Sequence, residues 1–372
     1  MSLRAKRLLY RVTHDITMPS NKRTASACAM LILLSLMIGY AGLSKGAMTA
    51  QNVIPSSGTI TASGNSGGGG SGTYNLIVAP SSNGGYSLES GDGSIITSSS
   101  DAATIINTMI SQSSSGYQDL IQAGTYPIYA QIGTSSVSGV TLTLASGAVL
   151  QEASDFRSNP MFELRSVSNW VIQGESDVLY AGEISGYSTS DTDNAGIAFA
   201  GCTNCIIQNT FITNFGCDIA FISGSTGCTV NNCQVTYGLW NGVDFGYSGS
   251  GCSDCTVQNS LIEYCSDVGL DSMQSSNCQF ISNTVAHTNQ YYHPGQNSHW
   301  GIALETNGGP ITNFLIENNI VYDCPINTQL GYGGYGIVIT RGTPTSNSIS
   351  DNNGNQAINN NVYDCNVNYS SG

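Results

Sequence analysis

Two aspartates stand in otherwise apolar surroundings, Asp244 in "NGVDFG" and Asp271 in "VGLDSM". A pair of carboxylates can divide one proton between them, can serve as acid and base or nucleophile on a glycosidic bond, or can take a hard cation such as calcium. The same residues can equally be solvated acids on the exposed strand of an acidic protein.

The two belong to a column of similar phrases: "GIAF" at 196, "DIAF" at 218, "GVDF" at 242, "GLDS" at 269, "GIAL" at 301 and "GIVI" at 336. Positions two and four are mostly apolar, so a strand of period two turns them inward and positions one, three and five outward. Asp244 and Asp271 hold position three, Asp218 holds position one and Glu305 position five. The expectation is an oblique row of four outward acids on successive strands, with Asp244 and Asp271 as central carboxylates or calcium ligands and Asp218 and Glu305 beside them. "HTNQYYHPGQNSHW" lies next to this row and carries His287, His293 and His299. Its extra length predicts a loop overhanging the strand with Glu305. There His299 would exchange protons near neutral pH, while Trp300, Trp240, Tyr292 and His293 would contact sugar rings. A surface loop that merely packs on the body is the alternative. Arg341, at the end of "GIVITR", is an available base or substrate contact.

What positions these residues is a repeat. Cys205, Cys228, Cys255 and Cys278 open "CIIQNTFIT", "CTVNNCQVT", "CTVQNSLIE" and "CQFISNTVA", and "FLIENNIVY" at 314 is a fifth copy; the openers recur after 23, 27, 23 and 36 residues. Such a period signals a solenoid. Apolar residues at the opener and two residues on read as a short strand, and Asn at the fourth position after it suits a left-handed turn. Stacked coils would make internal ladders of Cys, of Ile or Val, and of Asn. The cysteines then fill the interior as small soft hydrophobes, although neighbouring coils about 4.8 Å apart are within disulfide reach. Eleven cysteines follow residue 45, so at least one is free or pairs between chains.

On these phrases the chain resembles the right-handed parallel β-helix proteins of the pectin-lyase-like superfamily. "SDAATIINTMI" is similar to the short helix that plugs the N-terminal end of that fold, and "AGTYPIYAQIGTSSVSGVTLTLASGAVL" to the opening strands of polygalacturonase-like members. The resemblance implies an all-β solenoid over residues 74–372 and carbohydrate chemistry. It departs from the polygalacturonase pattern where Asp218 stands alone in "GCDIAF", where Asn241 replaces a histidine in "WNGVDF", and where "GLDSM" lacks both bases of the family phrase. A lyase route would want calcium and an Arg base.

Residues 1–23 are basic, 24–44 are apolar enough for a signal peptide or membrane anchor, and 45–73 are a Gly/Ser-rich tether. Residues 1–50 hold seven Lys or Arg against Asp15, a net +6, whereas the remainder holds three Arg against 23 acids, a net −20. Basic residues before the apolar run place the rest of the chain outside the cytoplasm, extracellular or at the cell surface. A domain without lysine excludes an electrostatic grip on nucleic acid. The expected partners are a polysaccharide or envelope glycan and, through the leader, a membrane. The competing class is a non-catalytic surface protein, an adhesin or structural rod.

Overall fold

The structure is a computed structural model. It describes residues 74–372 apart from 155, 157–159, 176–181, 187–193, 247–250, 289–299, 306–309, 326–333, 340–342, 346–347, 351–352, 366 and 372. The leader and tether lie outside the described residues, and among the described ones no helix is long and apolar enough to cross a membrane.

Three parallel sheets, of 14, nine and nine strands, run the length of the domain. One coil shows how they are built. Ile206–Gln208 belongs to the first sheet, Phe211–Thr213 to the second and Cys217–Ile222 to the third. Each pairs in register with its counterpart from the next coil: Ile207 with Val230, Ile212 with Val235, Ile219 with Val243. This is a parallel β-helix. At both ends of the first sheet the parallel stacking gives way to antiparallel strands, Tyr86–Ser90 and Ile95–Ser99 beyond Leu76–Pro80, and Ser348–Ser350 and Thr343–Thr345 beyond Gln356–Ile358. The single described helix, α1 (Ala102–Gln112), is capped by Asp101, whose carboxylate accepts from the N–H groups of Ala103 and Thr104. Its apolar face, with Ile105, Ile106, Met109 and Ile110, joins the main core.

The repeat explains both strands and corners. Opener residues Cys205, Cys228, Cys255, Cys278 and Phe314 are buried, as are Ile207, Val230, Val257, Phe280 and Ile316 two positions on. The fourth-position residues Asn209, Asn232, Asn259, Ser282 and Asn318 all take positive φ, between 52° and 57°. A single left-handed residue turns the chain from the first sheet to the second, and Asn tolerates that conformation better than most residues. Being at the corner, these asparagines face outward. The buried asparagine ladder is formed one residue later, by Asn283, Asn319 and Asn360. Each offers Oδ1 to the backbone N–H one coil before it, of Ser260, Asn283 and Asn319, at 2.8–3.0 Å. Each also donates Nδ2 to a backbone carbonyl of an earlier coil at 2.9 Å. Beside this ladder runs an aromatic one, Phe199, Phe221, Phe245, Phe280 and Phe314, with successive ring centroids 4.8–5.4 Å apart.

Asn319→Ala leaves the Asn283 amide N–H buried without its acceptor. A loss of about 2–4 kcal/mol is expected in denaturant unfolding, several times that of an exposed corner change such as Asn318→Ala.

Asp119, buried beside α1 and hydrogen-bonded by Ser113 Oγ, has its pKa raised by desolvation to about 6. A carboxyl with a raised folded pKa favours the native state while protonated, so its contribution is complete below pH ~4 and is lost as pH rises to about 6. Asp119→Asn should remove that step from a plot of Tm against pH.

Candidate functional site

Four neighbouring strands of the third sheet carry the sequence-predicted acids: Cys217–Ile222, Asn241–Phe245, Val268–Met273 and Trp300–Glu305. Val243, Phe245 and Leu270 point into the bore and belong to the main core. The residues between them face the opposite way, where Ala220, Asp244, Asp271 and Ala303 stand in register on consecutive strands. Asp244 and Asp271 are therefore direct ladder neighbours.

Contrary to the sequence expectation, they do not face water. Asp244 is 0% and Asp271 1% exposed. The outer side of this sheet is itself packed: Ala195, Ala198, Cys217 and Ala220 form a second small apolar cluster there. Period two tells which face a residue takes, not whether that face meets solvent.

Asn241, in the outward column one step before the acids, holds the pair. Its Nδ2 donates to Oδ2 of Asp244 at 3.0 Å and to Oδ2 of Asp271 at 3.1 Å. The two carboxylate oxygens, both bound to one nitrogen, thus lie within about 6 Å of each other. Oδ1 of Asp271 also accepts from the Ser272 N–H at 2.8 Å. Desolvation, and after it the charges of Asp244, Glu305 and Asp267, pushes the Asp271 pKa well above the usual carboxylate range. Two carboxyls so buried and so close favour holding a proton between them over carrying two charges. The Cys217 thiol is pushed up in the same way, first by burial and then by Asp244.

Asp218 is a second correction, because it is no part of an outward row. Position one of each phrase lies where the strand bends, and alternation breaks there. A Cβ on Gly242 would meet Ile262 Cγ2 at 2.7 Å and Cys265 Sγ at 3.0 Å, and one on Gly269 would meet Val285 Cγ1 at 2.4 Å. Position one thus points into the corner between the second and third sheets, a place normally reserved for glycine. Asp218 fills it in its own coil, fully buried, with Oδ1 accepting from the Phe215 N–H at 3.1 Å. Burial raises its pKa well above the ordinary value. It acts as an internal clasp on the preceding turn.

Glu305 is half-buried at the end of its strand, opposite Met273 and near enough to raise Asp271. Asp267, buried just before its strand, does the same. Trp240 and Trp300 lie at the starts of strands in this region. Trp300 is in the outward column of Asn241 and Val268. Both indole N–H groups are enclosed and have no acceptor among the described residues. His299, Tyr292, His293 and Arg341 lie outside the described residues. His287 belongs elsewhere, at the corner after the second sheet, with Nδ1 2.6 Å from Asp323 Oδ2 and its ring stacked on Tyr264 at 4.8 Å.

Sequence reasoning gave no role to Asn241, Asp267 or Cys217. Asn241 was visible as the residue standing in place of a family histidine. Asp267 precedes its strand and gives no alternation signal.

Calcium fits this pair poorly. Asn241 presents N–H, not oxygen, to the two atoms a cation would take. Among the described residues no group of three or more His, Cys, Asp or Glu is arranged to hold a metal.

Because the Asp271 pKa is raised, the native state gains from its protonated form and loses that gain as pH climbs above ~4. Asp271→Asn should flatten the decline of Tm as pH climbs above ~4, so that the variant gains on the parent at neutral pH relative to acid.

The family model described as "Right handed beta helix region" matches residues 171–372. Among solved structures, pectate lyase Pel9A is 13% identical with a TM-score of 0.50, covering 72% of this chain and 68% of its own. The endo-xylogalacturonan hydrolase from Aspergillus tubingensis is also 13% identical, with a TM-score of 0.49 and 66% of each chain covered. The chain thus spans about two thirds of the length of both, and the likeness to the pectate lyase is one of fold. No curated protein matches the chain in sequence.

Proposed function

The chain belongs to the right-handed β-helix family, and on that footing we propose that it is an extracytoplasmic protein acting on polysaccharide at Asp244 and Asp271. One observation carries the reading. The column that holds the two acids is alanine in the coils around them, Ala198, Ala220 and Ala303, and the next acid along it, Glu163, is paired with Arg165. The fold therefore asks for nothing charged there, and a desolvated carboxyl pair is a standing cost that structure alone does not explain. Perturbed, coupled carboxyls are what glycosidic chemistry uses.

In this mechanism the pair holds one proton, so that one carboxyl serves as the acid and the other as the base or nucleophile. Asn241 positions both through one amide nitrogen, and Glu305 and Asp267 hold the Asp271 pKa up. Trp240 and Trp300 offer indole N–H donors for sugar hydroxyls. His299, Tyr292, His293 and Arg341 are the further sequence candidates for proton transfer and sugar contact. Polysaccharide as substrate class follows the pectate lyase that shares the fold. The net charge of −20 beyond residue 50 favours a neutral glycan over a polyuronate. The basic and apolar leader supports export and a membrane tether.

The burial of Asp244 and Asp271 favours a second reading, a stiff surface rod or adhesin whose acids never meet substrate. The purified protein, assayed on neutral and uronate polysaccharides with and without calcium, separates the two. Turnover without calcium dependence is expected. Asp244→Asn should lower kcat by about 100-fold or more while the variant remains folded by circular dichroism. Unchanged turnover in that variant removes Asp244 from the mechanism, and no turnover on any glycan leaves the rod.

A further inference from the structure

Ten of the eleven described cysteines are buried, and Cys365 alone is partly exposed. It lies in the last coil, directly over Cys324 of the coil before. Ile320, Val321 and Tyr322 pair in register with Asn361, Val362 and Tyr363. The next residues, Asp323 and Asp364, share the same left-handed turn, φ 53° and 54°. The cysteines after them repeat one geometry, each thiol donating to the carbonyl two residues back, Tyr322 or Tyr363, at 3.8 and 3.4 Å. The rings of Tyr322 and Tyr363 stack 5.2 Å apart and 3° from parallel, as superposed layers require. Neighbouring layers put Cα atoms inside the 4.4–6.8 Å window of a disulfide.

The geometry points to Cys365 and Cys324 as a dithiol pair that takes a disulfide-bearing oxidant from solvent and closes into an intramolecular bridge. The Cys365 thiolate attacks one sulfur of the oxidant, forming a mixed disulfide and releasing the other half as a thiol. The Cys324 thiolate then attacks Sγ of Cys365 and expels the second thiol. Two protein thiols are oxidised and one small disulfide is reduced to two thiols, so protons and electrons balance. The roles are asymmetric. The neighbouring Cys324 thiol lowers the Cys365 pKa, whereas the Cys365 thiol and burial raise that of Cys324. The exposed sulfur is thus the better first nucleophile and the buried one the resolving partner. The buried column of Cys205, Cys228, Cys255 and Cys278 has comparable ladder spacing but no path for an oxidant. Bridging would tie the terminal coil to the body of the solenoid, where Asn361–Tyr363 stands at the end of the second sheet and stacks on Ile320–Tyr322. The inference is independent of the glycan reading, because neither cysteine belongs to the acid pair.

The full chain is treated with oxidised glutathione, then denatured without reductant so that the remaining thiols are alkylated, and a non-tryptic digest is mapped by mass spectrometry. Expected are a 2 Da loss, protection of Cys324 and Cys365 alone from alkylation, and a peptide linking them, all reversed by reductant. Hydrogen exchange of residues 356–363 should slow by about tenfold on oxidation, and Cys365→Ser should abolish both effects. A stable glutathione adduct on Cys365, a bridge between two chains, or full alkylation of both residues after oxidation would overturn the assignment. These readouts on the parent protein stand even if the variant fails to fold.

Discussion

One constraint governs this molecule: parallel strands stacked in register set each side chain directly on its counterpart, about 4.8 Å away, coil after coil. For Ile, Val and Phe the arrangement is self-satisfying, since like surfaces pack on like. For a polar residue it is demanding, because the nearest neighbours are the layers above and below. The asparagine ladder meets the demand by sending Oδ1 one coil along and Nδ2 back to a carbonyl, so each residue completes the previous layer. Two aspartates on adjacent layers cannot do this for one another. They need a donor between them, which Asn241 supplies, and a retained proton, which desolvation enforces.

The solenoid was legible because its determinants are local and repeated. Opener, apolar residue and left-handed corner residue recur at fixed offsets, and the fold uses all three in those roles. The register of Asp244 on Asp271 was legible for the same reason. Two things were not. The break of alternation at position one depends on where a strand bends, and the hint was that glycine opens the other five phrases of the column, at 196, 242, 269, 301 and 336. The burial of the outer face was hidden because a sheet with small residues on both sides reads alike whether it is covered or bare. The asparagines mislead in a smaller way: two adjacent positions, Asn318 and Asn319, carry the same residue, one for its backbone freedom and one for its amide.

The same stacking separates the charges by environment. With a single described Lys or Arg, Arg165, bound to Glu163 far from the acid pair, the described domain cannot neutralise its acids with its own cations. Each interior carboxyl instead uses backbone N–H groups, a hydroxyl or an amide: Phe215 for Asp218, Ser113 for Asp119, Asn241 and Ser272 for Asp271. Protonation becomes part of the packing, and proton concentration acts on these sites as directly as a ligand would.

The uniform layer also sets how such a chain can change in length. A segment from one opener to the next, such as 205–227, begins and ends at the same point of the spiral, so its loss or duplication leaves every flanking ladder intact and alters the body by a single step. Growth is therefore quantised, with smaller insertions confined to corners. Only the interval carrying Asp244 and Asp271 resists this editing, since one coil placed between them would part the two carboxyls by a full layer and leave Asn241 able to reach just one.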